Sequence, residues 1–122
     1  MKILGIDYGK KRCGLALYDT LVGIVVPFGV CESVEQIEDI LRREQIEHIV
    51  IGLPLGLDGK ENEATKRVRI WGEQLCQRNT VTVDFFDERF TSVASDQFDI
   101  GVSRDEKAAI MIVEGWVERK SV

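Results

Sequence analysis

Three carboxylates frame the chemistry. Asp7 closes the apolar run Ile3-Leu4-Gly5-Ile6, Glu88 stands in "DERFTS" directly after an alternating stretch, and Asp105 opens the last amphipathic segment. An unpaired carboxylate at the end of a strand buried on both faces is costly. Asp7 therefore either caps the turn through Tyr8-Gly9 or holds something positive. Three or four acids gathered at one place repel one another unless a cation sits among them. An all-oxygen donor set favours a hard ion, Mg2+ or Mn2+. Two such ions about 4 Å apart activate a water and stabilise the leaving oxygen of a phosphodiester. Gly9, Lys10 and Lys11 follow Asp7, and Arg89 and Thr91 follow Glu88. Arg89 suits a phosphate oxygen; Thr91 suits a hydrogen bond to one, or a helix cap.

Each residue also has a plainer reading. Glu88 can be a solvated charge paired with Arg89, and Asp105 can simply complement a helix dipole. Asp58 and Asp87 read as structural. The clusters Lys10-Lys11-Arg12 and Lys66-Arg67-x-Arg69 read singly as solvated faces. What raises the acids above these readings is whether the fold brings them together.

The positioning elements follow from the hydrophobic period. Residues 2–8 and 12–19 read as strands joined by a tight turn. Residues 23–31 make a third strand, assigned to an edge by Pro27, which cannot donate to a sheet ladder. "SVEQIEDILRREQ" then changes to helical period, with Val34, Ile37, Ile40 and Leu41 on one face behind a Ser33-x-x-Gln36 capping box. "HIVIGLP" is continuously apolar, the signature of a central parallel strand. Residues 63–78 are helical again, with Ala64, Val68, Trp71 and Leu75 on one stripe. "VTVDFFDE" alternates, placing Val81, Val83 and Phe85 opposite Thr82 and Asp84. A short helix is expected from Thr91 to about Asp99. A last helix starts at a Ser103-x-x-Glu106 box and buries Ala109, Ile112, Val113 and Trp116.

Right-handed crossovers turn this βββαβαβαα order into an α/β fold with a five-stranded mixed sheet, order 3-2-1-4-5, flanked by helices. That topology is the ribonuclease H-like fold. It sets the ends of strands one, four and five side by side, bringing Asp7 to the rim that also receives "DERFTS" and the glycine-rich loop "GLPLGLDGKE". The loop lacks the GxxxxGK[ST] pattern of a nucleotide P-loop.

Composition narrows the classes. The 122 residues, 44% hydrophobic and 30% charged, suit one globular domain spanning 1–122, and no apolar run approaches the roughly 18 residues of a membrane helix. Cys13, Cys31 and Cys76 are odd in number and widely spaced, so buried free thiols in a reducing cytoplasm are expected rather than disulfides or zinc. His48 has no His or Cys at ligand spacing. A net charge of −5 argues mildly against nucleic acid, although acids that bind metal stop repelling a phosphate backbone.

Four segments carry a family resemblance: "GIDYGKKRCGLAL", "VIGLPLGLDGKE", "DERFTSVAS" and "DEKAAIMIVEGWVE". In order and spacing, from about residue 2 to residue 118, the chain resembles the YqgF/RuvX family. The resemblance implies a cytoplasmic, ribonuclease H-like nuclease related to Holliday junction resolvases and implicated in maturing the 5′ end of pre-16S rRNA. It also implies that the motif acids fall on Asp7, Glu88 and Asp105. One departure stands out: where family members often carry a longer Lys/Arg-rich loop, this chain has only "DIGVSR", which bears on affinity more than on chemistry.

The expected activity is divalent-metal-dependent hydrolysis of structured RNA, with Asp7, Glu88 and Asp105 as ligands and Gly9, Lys10, Lys11, Arg89 and Thr91 toward the substrate. The expected partner is nucleic acid, pre-rRNA first and branched DNA second, met by a monomer or homodimer. Three rivals stand beside it: a four-way DNA resolvase, a non-catalytic RNA-binding assembly factor, and an actin/hexokinase-like ATPase. The last needs a second domain that 122 residues cannot supply.

Overall fold

Lys2–Asp7 forms the central strand, β1, and its surroundings explain its composition. Ile3, Leu4 and Ile6 are shut off from solvent. A computed structural model describes residues 1–90 and 101–120. β2 (Cys13–Asp19) and β3 (Ile24–Cys31) follow, then α1 (Val34–Arg43), β4 (His48–Leu53), α2 (Glu63–Arg78), β5 (Thr82–Asp87), a 3-10 turn at Glu88–Phe90, and α3 (Arg104–Lys120). The sheet order is β3-β2-β1-β4-β5, as the crossover rule requires. β2 runs antiparallel to both β1 and β3, and β4 runs parallel to both β1 and β5. The helix expected over Thr91–Asp99 lies outside the described residues.

Alternation along β1 divides the core. Leu4 and Ile6 face the side covered by Ile37, Ile40 and Leu41 of α1 and Val68 and Leu75 of α2. Ile3 faces the other side, where Ile112 of α3 packs with it, and Ala109, Ile110 and Val113 cover Ala16 and Val25. Val81, Val83 and Phe85 pack on the α1/α2 side, as their alternation predicts.

Caps define the helix starts. Ser33 accepts from the Gln36 N–H while the Gln36 side chain accepts from the Ser33 N–H. Ser103 and Glu106 make the same reciprocal pair at α3. A third box, Asn62 with Thr65, starts α2 and was not expected. The stripe of α2 also shifts: Thr65 and Gly72 are buried, whereas Trp71 is only half-buried. Thr65 tolerates complete burial because its hydroxyl donates to the Pro54 carbonyl at 2.6 Å.

Candidate active site

Asp7 ends β1 with its side chain on the α3 face, where it lines a cleft of about 250 Å³ with Glu88, Ala108, Met111 and Ile112. Glu88 arrives on the turn that leaves β5, and Asp105 lies in the first turn of α3. Two close approaches make this meeting possible. Gly14 is the register partner of Asp7, and a Cβ there would overlap the Asp105 carbonyl. Gly52 of β4 leaves the space filled by the Glu88 side chain and Ile112. A side chain at either glycine would push α3 or Glu88 off the rim.

The electrostatics of the cleft are unbalanced. Burial first, then the charges of Glu88 and Asp105, and last a hydrogen bond to Glu88 push the Asp7 carboxyl up to about 7. Burial is also the first reason Glu88 is raised, opposed by the hydrogen bond from Asp7. Below about 7 the Asp7 carboxyl therefore keeps its proton and donates it in a hydrogen bond to Glu88. No positive group figures among the influences on either acid.

Asp105 is held differently. Its Oδ2 accepts from Arg12 Nε at 2.8 Å. Among the described residues, no three His, Cys, Asp or Glu side chains are gathered tightly enough to enclose an ion as they stand. The donor chemistry nonetheless fits a hard divalent cation: two half-buried carboxylates in contact, oxygen donors only, with no offsetting cation among the described residues. Asp7 and Glu88 would hold it directly, and Asp105 would join them by exchanging Arg12.

The remaining expected residues divide. Lys10 and Lys11 are exposed on the turn after Asp7, and Gly9 shapes that turn, because a Cβ there would collide with the Arg12 carbonyl. The pairing shown for Arg89 is with Asp87, not with the adjacent Glu88. Its Nε and Nη2 grip the Asp87 carboxylate at 3.0 and 2.6 Å, which makes Asp87 structural and leaves Glu88 to the cleft. The guanidinium packs over Gly59, so Arg89 also borders the glycine-rich loop. Asp58 accepts from the Lys60 N–H in that loop, an ordinary turn role. Thr91 lies outside the described residues. Arg69 pairs with Glu61 and Lys66 with Glu63, so the second basic cluster is a solvated face. His48 Nδ1 hydrogen-bonds Thr82, and its Nε2 lies 3.3 Å from Asp84 Oδ2, at the far end of the sheet. All three cysteines are free thiols.

Arg12, Gly14 and Gly52 escaped the sequence reading. Arg12 looked like the third member of a basic run, and its partner is 93 residues away. The apolar lining did leave a signal: Asp105, Ala108 and Ile112 fall at i, i+3 and i+7, one helical face.

A family model described as "RuvX: Holliday junction resolvase" matches residues 1–119. The chain belongs to the RuvX family. Among its RuvX relatives, a Maridesulfovibrio salexigens protein named "Putative pre-16S rRNA nuclease" is 34% identical over 134 residues, covering 98% of this chain and 99% of the relative. An Agathobacter rectalis protein of the same name is 31% identical over 136 residues, covering 97% and 95%. The fold of this RuvX chain is also that of a solved structure, Thermus thermophilus RuvC in complex with a Holliday junction substrate, with a TM-score of 0.62 at 12% identity, covering 98% of this chain and 96% of that one. At that identity the likeness speaks to fold alone, and the fold is ribonuclease H-like, as the strand order predicts.

Proposed function

We propose that this RuvX chain is a divalent-metal-dependent nuclease that hydrolyses phosphodiester bonds of structured RNA and processes the 5′ end of pre-16S rRNA. The observation that carries the reading is the Asp7–Glu88 pair: two half-buried carboxylates in contact, one kept protonated to about 7, with no cation among the described residues to offset them. The names of the RuvX relatives support the choice of RNA.

Mg2+ or Mn2+, if held at this rim by Asp7 and Glu88, would supply activation of a water and a counter-charge for the leaving oxygen. The protein does the rest. Asp7 would release its proton to solvent water, leaving both carboxylates as acceptors able to hold the ion. Asp105 completes the set on release from Arg12, whose freed guanidinium is then available to a phosphate oxygen. Lys10 and Lys11 bear on the substrate backbone. Arg89, braced by Asp87, holds the glycine-rich loop beside it. A substrate role for Thr91 rests on its residue type in "DERFTS".

The family description favours a second reading, cleavage of four-way DNA. Labelled precursor RNA and a four-way DNA junction, incubated side by side with Mn2+ and with EDTA, separate the two. Metal-dependent cleavage of RNA in preference to the junction is expected. Junction cleavage alone would transfer the activity to DNA, and cleavage of neither would leave a binding factor.

A further inference from the structure

Asp7 and Tyr8 are consecutive, yet they serve opposite faces of the sheet. Asp7 opens on the α3 cleft, whereas Tyr8 packs on the α1/α2 side. There the Tyr8 and Trp71 rings meet with centroids 4.8 Å apart and planes splayed by 49°. Both are half-buried and line a second cleft of about 130 Å³, whose wall also includes Lys10, Lys11 and Glu32. That is roughly the liquid volume of four waters at about 30 Å³ each, room for a flat ring rather than a single ion.

Three features separate this cleft from ordinary core packing. Buried Trp and Tyr usually find a partner for the polar tip, and Trp116 does, donating to Asp84 at 2.8 Å. Among the described residues neither the Trp71 indole N–H nor the Tyr8 hydroxyl has a hydrogen-bond partner, and neither atom is buried, so both polar tips are open to a ligand or water. Lys10 and Lys11 likewise lack an acidic partner among the described residues, unlike the adjacent Arg12. Finally, the side chain of Glu32 brings an acid rather than a base to the wall, which disfavours phosphate inside the cleft and leaves it to the two lysines. Aromatic rings inside, cations at the lip and an acceptor on the wall match a nucleobase with its phosphates outside.

We propose that the Tyr8–Trp71 cleft stacks an unpaired nucleobase of the RNA strand next to the scissile phosphate, the strand crossing the rim over the Lys10-Lys11 turn. This rests on the nuclease reading and sharpens it: the substrate must be single-stranded on one side of the cut, whatever its structure elsewhere.

The test uses the full chain in EDTA, so that binding is measured without cleavage. A short single-stranded oligoribonucleotide carrying 2-aminopurine is titrated against the unmodified protein. Stacking should quench the probe, and an abasic oligomer of equal length and charge should bind about tenfold more weakly. Trp71→Leu should remove the quench and weaken binding by a similar factor, while Trp71→Phe, which keeps a ring, should retain both. Equal affinity for base-bearing and abasic oligomers, or an unquenched probe bound to unmodified protein, would overturn the proposal. Cleavage of precursor RNA with Mn2+, assayed separately, judges the nuclease reading. Cleavage without stacking sinks only the cleft, and stacking without cleavage sinks only the nuclease.

Discussion

Arg12 Nε and Asp105 Oδ2 meet at 2.8 Å, joining the β1–β2 turn to the first turn of α3. The arginine side chain is 62% exposed and the aspartate 28%, so the pair itself contributes little to stability, about 0–1 kcal/mol. Its importance is positional. Arg12 occupies Oδ2 of the carboxylate whose charge already bears on Asp7, and releasing that contact frees the oxygen for an ion.

Arg12→Gln should therefore bind Mn2+ more tightly in the absence of RNA, by roughly three- to tenfold, since Asp105 Oδ2 no longer has to be released from a cation. The same variant should bind RNA more weakly and with a shallower salt dependence. Calorimetric titration with Mn2+, repeated in an Asp105→Asn background, checks this. The gain should shrink once Asp105 cannot exchange partners, and an unchanged Mn2+ affinity in Arg12→Gln would separate the ion pair from metal loading.

The Asp7 proton makes metal-free stability depend on pH. Asp7 has a folded value of about 7 against an ordinary 3.8, so the folded chain binds the extra proton. Its favourable contribution is complete below 3.8 and is lost as pH rises through about 7. Melting in EDTA should show stability declining across that window, and Asp7→Asn should flatten the decline while abolishing cleavage. A variant that melts with the parent's pH slope would show that another group carries the proton.

RNA binding should be weak and steeply salt-dependent, because basic residues near the rim are few. Reversing Lys10 and Lys11 together to Glu should cut affinity at low salt. It should also flatten the plot of log K against log salt, by about 0.7–0.9 in slope for each phosphate the protein no longer neutralises. Filter binding over a salt series measures both, and an unaffected slope would move the backbone-binding surface elsewhere.

Glu114 of α3 has a buried carboxylate oxygen, Oε1, without a hydrogen bond among the described residues, and burial followed by Glu118 raises its pKa. Glu114→Gln should stabilise the chain near pH 7 by on the order of 1 kcal/mol, a few degrees in Tm. The gain should vanish at acid pH, where the native glutamate is already neutral. Thermal melts at both pH values check the sign.

Local physics wrote much of this protein into its sequence. Period-two and period-3.6 patterns, the Ser33 and Ser103 boxes and the edge-marking Pro27 each depend on neighbours a few residues apart, so they set element order and, with crossover handedness, the sheet order. That order brought Asp7 and Glu88 to one rim before any coordinates. Meetings between distant segments were another matter. The partner of Arg12 lies 93 residues on, and Gly14 and Gly52 look like ordinary strand glycines until α3 and Glu88 press against them. Arg89 follows two acids, Asp87 and Glu88, and only the path of the chain out of β5 turned it to Asp87. The Asp7–Glu88 proton is the furthest from the sequence, because burial is its largest cause and burial belongs to the assembled sheet and helices.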